Sequence, residues 1–345
     1  MCKKIICLAA ICAALCSVTT ATAQSSDIQP QAADIAVLAK HTLLTDIANV
    51  NGQQLVAVGE RGHILVSQDG QNWLQSPVPV QANLNSVYFV DKQHGWAVGH
   101  DASILATKDS GASWRLQHYA PETDKPLFDV YFANSSSGIA VGAYGLFYRT
   151  EDGGETWQKE FHPEVLSEDD QAYLEELKET DPDMYEVELG AILPHFNRLF
   201  ADGNVLYMVG EAGFAAKSND NGKSWSRLET FYNGSLFDIT RTPQMALLAV
   251  GLRGHAFLSH DQGESWQQIA LNETATLNSA FSDNDGRLYL VGNAGTLLVS
   301  SDDGASFTNL SRADGKAIVN GLIWHNELLL VTETGIRSIK QSELK

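Results

Sequence analysis

One line of residues recurs along the chain and limits what it can fold into. It opens on Val-Gly, passes through two turns and ends on an aromatic residue, as in VGAYGLFYRTEDGGETW from Val141. Copies begin at Val58, Val98, Val141, Val209, Val250, Val291 and, in decayed form, Val331. These starts are 40, 43, 68, 41, 41 and 40 residues apart, so one gap holds an insertion of about 27 residues. A period of about 40 residues indicates a chain built from one repeated structural unit.

An apolar stretch with a short polar residue near its start precedes each copy. The seven stretches begin at Leu43, Leu84, Leu127, His195, Leu236, Leu277 and Val319. Each period therefore predicts four short strands separated by turns, which is the pattern of one propeller blade. We predict an all-β, seven-bladed β-propeller that occupies residues 24–345 as one domain.

Two glycine-containing turns recur in the repeats. The first is a G-x-x-G pair such as Gly59 and Gly62, which supplies residues that accept a positive φ. The second has the form S/T-x-D-x-G-x-x-W, in which an aspartate accepts main-chain N–H groups and an aromatic residue covers the turn. Because this device is repeated, we interpret its aspartates as structural rather than catalytic. They are Asp69, Asp109, Asp152, Asp220, Asp261 and Asp302.

The first 23 residues predict an export signal. Lys3 and Lys4 precede an apolar run from Ile5 to Val18, and small residues lead to a cleavage site before Gln24. The run is shorter than the roughly 20 residues that span a bilayer, so we expect a periplasmic or secreted protein that does not itself cross the membrane. All four cysteines lie in this leader, which removes disulfides, thiolate metal ligands and cysteine nucleophiles from the exported chain.

The seventh repeat lacks its fourth strand, because only six residues follow the third. The segment Asp34–Ala39 precedes the first repeat in the way that fourth strands precede the others. It is therefore predicted to complete blade 7 and close the ring, which would remove an exposed sheet edge.

The insertion between blades 3 and 4, residues 162–194, differs in composition from the strands. From Glu164 to Glu188 it carries eleven acids and one base, a charge of −10, whereas the whole chain carries −19, or −21 without Lys3 and Lys4. This charge argues against a nucleic-acid partner. Ser167 followed by acids predicts a helix start, and Asp181-Pro182 predicts its end. We expect an acidic helix that overhangs the mouth of the channel.

Short polar residues recur near the start of the inner strands and are spaced to surround the axial channel. The series is Asp46, Ser86, Asp129, Asn197, Asp238, Ser279 and Gly321. Of these, we take Asp46, Asp129, Asn197 and Asp238 as channel-lining candidates, which fit either a hydrated channel or a cation such as calcium. Three histidines near turns on one face suggest a zinc site, but they are not spaced along the sequence as zinc ligands usually are. These histidines are His63, His100 and His255. We therefore predict no metal and no cofactor.

The repeats resemble those of the photosystem II stability and assembly factor propellers. The shared pattern is V-G-x-x-G-x-h-x-x-S/T-x-D-G-G-x-T-W, which Val141–Trp157 matches without a gap, and the resemblance covers roughly residues 40 to 340. It implies a seven-bladed, non-enzymatic assembly factor that binds a membrane protein through clustered arginines. By position, the residues that it implies for such a cluster are Arg61, Arg198, Arg241 and Arg253.

We therefore predict a monomeric periplasmic scaffold that binds an envelope or membrane protein, such as a transporter. Further candidate contacts are Tyr144 and, in the insertion, Glu175, Glu176, Met184 and Tyr185. Two alternatives stay open. One is a carbohydrate or small-ligand binding propeller, and the other is a glycoside hydrolase, because the Asp boxes (BNR repeats) also resemble those of sialidases. The sequence argues against the hydrolase, because it contains no F/Y-R-I-P stretch and no identifiable pair of suitably spaced carboxylates.

Overall fold

The computed structural model describes residues 29–344, so the predicted leader at residues 1–23 lies outside the described residues. The described chain forms seven antiparallel sheets, of which six have four strands and the last has three. Strands follow chain order across every sheet, and we number the sheets 1 to 7 along the chain.

The strands begin and end close to the positions that the repeats predict. Sheets 1 to 3 contain β1 (Leu44–Val50), β2 (Gln54–Gly59), β3 (Ile64–Ser67) and β4 (Leu74–Gln75); β5 (Leu84–Phe89), β6 (Gly95–Gly99), β7 (Ile104–Thr107) and β8 (Arg115–His118); β9 (Leu127–Phe132), β10 (Gly138–Gly142), β11 (Phe147–Thr150) and β12 (Gln158–Lys159). After the helices α1 (Glu168–Thr180) and α2 (Pro182–Ile192), sheets 4 and 5 contain β13 (Phe196–Asp202), β14 (Val205–Gly210), β15 (Ala215–Ser218) and β16 (Ser226–Arg227); β17 (Leu236–Arg241), β18 (Leu247–Gly251), β19 (Ala256–Ser259) and β20 (Gln267–Gln268). Sheets 6 and 7 contain β21 (Leu277–Ser282), β22 (Leu288–Gly292), β23 (Leu297–Ser300) and β24 (Thr308–Asn309); β25 (Ile318–Trp324), β26 (Glu327–Thr332) and β27 (Gly335–Lys340).

Short 3-10 turns join many of these strands. They span Ala39–His41, Glu60–Gly62, Pro121–Thr123, Ala143–Gly145, Pro163–Val165, Glu211–Gly213, Leu252–Gly254, Asn293–Gly295 and Gln341–Glu343. Five of them connect a second strand to a third strand within one sheet, at the positions of the G-x-x-G pairs. We call the end of the ring that carries these five connections the turn side.

The core lies between neighbouring sheets, where side chains from two sheets meet. Second strands such as β6 and β18 are buried along their whole length because sheets cover both of their faces. Sheet 7 packs against sheet 1 in the same way, with Trp324 and Leu329 against Leu55 and Ala57. The seven sheets therefore close into a ring by apolar contact between the last sheet and the first.

The N-terminal segment does not supply the fourth strand of sheet 7, and that part of the prediction is wrong. Residues 34–38 form irregular structure and a turn, and the 3-10 turn Ala39–His41 follows. The N–H of Ala36 donates to Oε1 of Gln75 over 2.8 Å, which attaches the segment to sheet 1 instead. A strand on β27 needs alternate side chains that can be buried, whereas Val37 is 98% exposed here and only small alanines pack inward.

The insertion between sheets 3 and 4 contains two helices rather than the single helix predicted. At the start of α1, Oγ of Ser167 accepts the N–H of Asp170 over 3.2 Å, as the capping pattern predicts. The carboxylate of Asp181 then accepts the N–H of Met184 over 3.2 Å. The Asp-Pro pair therefore ends α1 and also caps α2, because proline is favoured in a first helical turn.

Both helices are anchored by apolar side chains. Leu174 of α1 and Leu189 of α2 join a buried cluster with Phe147 of sheet 3 and Phe214 of sheet 4. In the described chain, no residue of α1 or α2 lines either cavity on the ring axis, and the position of the helices over the channel mouth stays a prediction. Neither they nor any other helix within residues 29–344 combines the length and apolar character needed to cross a membrane.

Candidate functional site

A shared irregularity decides which residue of each inner strand faces the axis. In sheet 1, Leu44 pairs with Gly59 and the next pair is Asp46 with Val58, so Thr45 is skipped by a β-bulge. The same shift occurs at the start of every other inner strand. The third residues of the seven strands therefore stand at equivalent positions, and we call them the axial ring. They are Asp46, Ser86, Asp129, Arg198, Asp238, Ser279 and Asn320.

Two residues of the predicted channel series are displaced by one position. Asn197 is the skipped residue of its strand, and Arg198 takes the ring position next to it. Likewise, Asn320 rather than Gly321 belongs to the ring in sheet 7. Both ring residues can be found from the sequence by counting to the third residue from the buried apolar residue that starts each inner strand. The position of the first short polar side chain does not identify them.

Carboxylates and hydrogen-bond donors alternate around the axial ring. Sheets 1, 3 and 5 supply acids and sheets 2, 4 and 6 supply donors. Oγ of Ser86 lies 3.2 Å from Oδ2 of Asp46 and 2.7 Å from Oδ1 of Asp129. Arg198 places Nε 3.2 Å from Oδ1 of Asp238 and Nη1 3.7 Å from Oδ1 of Asp129. On the far side of that acid, Ser279 donates to Oδ2 of Asp238 over 2.8 Å.

An odd number of sheets prevents strict alternation, and Asn320 resolves this. Its Oδ1 lies 2.8 Å from Oγ of Ser279, and its Nδ2 donates to Oδ1 of Asp46 over 2.6 Å. An amide both accepts and donates, so it can stand between a hydroxyl and a carboxylate. Hydrogen bonds and ion pairs thus connect all seven sheets around the axis.

Burial and neighbouring charges shift the pKa values of ring residues in opposite directions. Burial raises the pKa of Asp129, although Arg198 and the N–H of Leu199, at 2.8 Å, partly offset the shift. For Arg198, burial alone would lower the pKa, but Asp238, Asp129 and Asp46 outweigh it and raise the pKa. The guanidinium therefore stays charged at any physiological pH. Three acids face one base, so the ring has an excess of negative charge.

The axial ring separates two cavities. The turn-side cavity has a volume of about 500 Å³ and is lined by the second residues of the inner strands and by His195. The cavity on the other side, of about 400 Å³, is lined by aromatic residues that include Tyr88, Tyr131 and Phe200. Arg198, Ser279 and Asn320 line both cavities, so the ring forms the floor between them.

The candidate arginines do not come together. Arg61 and Arg253 are exposed at the tips of equivalent turns in sheets 1 and 5, with φ of 55° and 56°. Arg198 lies in the axial ring. Arg241 ends an inner strand away from the turn side and pairs with Asp202. Tyr144 occupies the turn position of Arg61 in sheet 3 and is 47% exposed.

The insertion candidates lie on the surface of the two helices. Glu175 and Glu176 are exposed on α1, and Met184 is 45% exposed on α2. Tyr185 is half-buried instead, because it packs against the core between sheets 3 and 4. Val187, one turn after Met184, is 63% exposed and was not singled out from the sequence. Acidic and apolar side chains therefore share this surface.

Two of the three histidines that were weighed as zinc ligands, His63 and His255, have local partners. Nδ1 of His63 lies 3.0 Å from Oγ1 of Thr42, and the ring of His255 stacks on Tyr232 with centroids 4.7 Å apart. Within residues 29–344, no three histidine, cysteine or acidic side chains are placed to hold a metal ion.

The Asp-box carboxylates are engaged within their own turns. In sheet 5, Asp261 accepts the Oγ–H of Ser265 over 2.5 Å and its N–H over 2.9 Å, while Oγ of Ser259 accepts the N–H of Gly263 over 2.8 Å. These bonds from Ser265 lower the pKa of Asp261 to about 2. The same contacts recur in the boxes of Asp109, Asp152, Asp220 and Asp302, and with a shorter turn at Asp69.

A closed ring of antiparallel sheets, with an Asp-box turn in six of them, defines an Asp-box β-propeller. Residues 68–158 match the family described as photosynthesis system II assembly factor YCF48. Over 46 residues, the chain is 35% identical to photosystem II assembly protein Ycf48 of Thermosynechococcus vestitus, a match that spans 13% of each protein. This part of the chain is therefore similar to the YCF48 family, which confirms the resemblance that the repeats predicted.

Solved structures show the same fold. The structure described as YCF48 bound to D1 peptide aligns with a TM-score of 0.66 at 20% identity, covering 91% of this chain and 97% of that one. YCF48 from Cyanidioschyzon merolae aligns with a TM-score of 0.66 at 13% identity, covering 90% and 99%. At these identities the likeness is one of fold, and it confirms the predicted β-propeller.

Proposed function

We propose that this chain is a non-enzymatic, seven-bladed periplasmic scaffold that binds a segment of an envelope or membrane protein and assists its assembly. The observation that carries the proposal is the YCF48 match over residues 68–158, within a fold shared with a YCF48 that binds a D1 peptide. The leader predicted at residues 1–23 supports a periplasmic location.

The state of the carboxylates supports a binding role over hydrolysis. Glycoside hydrolysis needs two carboxyl groups that are free to exchange protons across a substrate. The acids of the axial ring are hydrogen-bonded to main-chain N–H groups and ring neighbours, as Asp238 is to Ala280 and Ser279. The Asp-box acids are held within their turns in the same way.

The insertion supplies the docking surface in this proposal. Its charge of −10 over residues 164–188 attracts a basic surface and accelerates encounter. Exposed apolar side chains provide short-range contact once the partner is near, namely Tyr173, Met184 and Val187. Because Leu174 and Leu189 are buried between the sheets, the surface is held on the propeller rather than on a free loop.

The experiment removes charge and keeps the packing. Glu175, Glu176, Glu179 and Glu186 are exposed and are changed together to Gln, leaving Leu174 and Leu189 in place. The tagged variant is crosslinked in the envelope, and the captured proteins are identified and quantified at two salt concentrations. We expect wild type to retrieve a membrane protein and the variant to retrieve about ten-fold less of it at low salt.

The matched control changes four exposed glutamates outside the insertion to Gln, at Glu122, Glu151, Glu229 and Glu343. It removes the same number of negative charges, so a general charge effect would reduce capture in both variants. Equal capture by all three proteins would refute the docking role of the insertion. Capture of soluble proteins alone would refute the scaffold role for a membrane partner.

A further inference from the structure

The turn-side cavity combines hydrogen-bond acceptors, aromatic walls and a floor in which the charge of Arg198 is offset by acids of the axial ring. We propose that it binds a primary alkylammonium group, presented by a lysine side chain or by a free amine. This inference goes beyond the proposed scaffold function and does not depend on the acidic insertion.

Three asparagines supply the acceptors. Asn85, Asn197 and Asn278 stand at the second position of the inner strands of sheets 2, 4 and 6, and all three line the cavity. Each Nδ2 donates to a main-chain carbonyl of the next sheet, at Leu127 (2.7 Å), Leu236 (2.8 Å) and Ile318 (2.8 Å). These bonds fix the orientation of the amides and leave each Oδ1 as the end available to a ligand.

The type of these acceptors matches an ammonium group. Within the described chain, no protein donor bonds to Oδ1 of Asn85, Asn197 or Asn278, although each amide nitrogen is satisfied. An ammonium carries three N–H donors and no acceptor, so amide oxygens on the cavity wall suit it as hydrogen-bond partners. A carboxylate has no hydrogen to donate and would face the same oxygens unfavourably.

Aromatic rings supply the walls. Phe128 and Phe237 hold the second position in sheets 3 and 5, where they are half-buried and line the cavity. The ring of His195 lies 5.9 Å from that of Phe128 and 4.5 Å from that of Tyr144, which extends the wall to the exposed turn of sheet 3. Phenyl faces attract cations and also pack against an alkyl stem.

The floor adds long-range attraction. Arg198 lines the cavity and is paired with Asp129 and Asp238. These two acids and Asp46 belong to the axial ring but do not line the turn-side cavity themselves. Acids exceed bases, so a cation that enters from the turn side gains energy that an anion loses. A cavity of about 500 Å³ holds a butylammonium-sized ligand with room for water.

The test uses n-butylammonium, with butan-1-ol and butyrate as a neutral and an anionic probe of similar size. Binding is followed by NMR through the side-chain NH₂ signals of Asn85, Asn197 and Asn278. We expect saturable shifts of these signals with butylammonium, at least about ten-fold weaker binding of butan-1-ol, and none of butyrate. Equal affinity for butan-1-ol, or shifts that spare all three asparagines, would overturn the proposal.

Two alanine variants locate the site. Phe237→Ala removes one wall of the turn-side cavity and should weaken butylammonium binding about five-fold. Phe200→Ala is the matched control, since Phe200 is a half-buried inner-strand phenylalanine that lines the other cavity. It should leave the affinity unchanged. Equal weakening by the two variants would overturn the assignment to this cavity.

The variant with four Gln residues in the insertion separates this proposal from the proposed function. It should bind butylammonium as wild type does, even where it has lost its protein partner. If it no longer binds butylammonium, the ammonium site belongs to the acidic helices and the proposal fails. A Gly-Gly-Lys-Gly-Gly peptide, acetylated at its N-terminus and amidated at its C-terminus so that its only amine is the lysine side chain, then distinguishes the two sources of the amine. Binding at least about ten-fold tighter than that of butylammonium assigns the cavity to a lysine side chain, and equal binding assigns it to a free amine.

Discussion

The side-chain amide of Asn320 donates to Oδ1 of Asp46 over 2.6 Å and joins the last sheet to the first across 274 positions of the chain. Oδ1 of the same amide lies 2.8 Å from Oγ of Ser279 in sheet 6, whose single hydroxyl hydrogen can go either to it or to Asp238. Asn320 therefore completes a polar connection that runs parallel to the apolar contact between sheets 7 and 1.

Replacing Asn320 by Asp should destabilise the ring. The change removes the donor to Asp46 and adds a fourth carboxylate to a site that already has more acids than bases. We expect a loss of about 3 kcal/mol in the free energy of unfolding at pH 7, measured by urea denaturation. The loss should shrink as the pH falls, because protonation of the new carboxyl restores a donor. Asn204→Asp, at an exposed turn, should change stability by less than about 0.5 kcal/mol and serves as the control.

Removing the ring cation should be costly for the same reason. In Arg198→Met, Asp129 and Asp238 lose their shared guanidinium while remaining buried. A loss of about 3 kcal/mol is expected, at the lower end for buried pairs because the Arg198 side chain is 27% exposed. Adding Asp238→Asn to Arg198→Met should recover part of the loss. A double variant less stable than Arg198→Met would contradict a charge-based role.

The repeats predicted much of this fold because each repeat codes its own local structure. The spacing of the valines set the number of sheets, and Asp-box residues such as Ser259, Asp261 and Gly263 determine a turn from a few neighbouring positions. Contacts between repeats carried no such signal. Arg198 was missed as a ring member because a β-bulge, not polarity, decides which residue faces the axis.

The N-terminal segment and the insertion show the same limit. Residues 34–39 have the length and apolar character of a strand, yet their partner is Gln75 in sheet 1 rather than β27. A sequence pattern does not reveal which of two nearby edges a short segment will join. Similarly, Asp181 predicted the end of one helix, but its second role as the cap of α2 depends on the side-chain bond to Met184.

The Asp boxes should make the protein sensitive to acid. Hydrogen bonds from Ser265 lower the pKa of Asp261 to about 2, and those from Ser306 do the same for Asp302, both from an ordinary 3.8. The unfolded chain therefore binds more protons between these values, so stability is present above pH 4 and is lost as the pH falls from about 4 to 2. Urea midpoints measured across this range should fall steeply.

The Asp261→Asn variant should be less stable at pH 6 and show a shallower loss between pH 4 and 2, because one of the titrating groups is gone. Asp285→Asn, at an exposed position, provides the comparison and should keep the wild-type slope. An unchanged slope for Asp261→Asn would show that its carboxylate does not contribute to acid unfolding.

Two glycines with the same backbone angle should respond differently to substitution. Gly52 and Gly62 both have φ of +71°, so alanine is strained at either position and should cost about 1 kcal/mol from that cause alone. A Cβ at Gly52 meets nothing within 4 Å, whereas a Cβ at Gly62 would lie 2.1 Å from the carbonyl oxygen of Val80 and 3.1 Å from Cβ of Ala33. The main chain that leads into sheet 2 would have to move, so Gly62→Ala should lose about 3 kcal/mol or more in urea denaturation. Equal losses for the two variants would show that backbone strain alone, and not the close approach of the neighbouring chain, requires glycine at this turn.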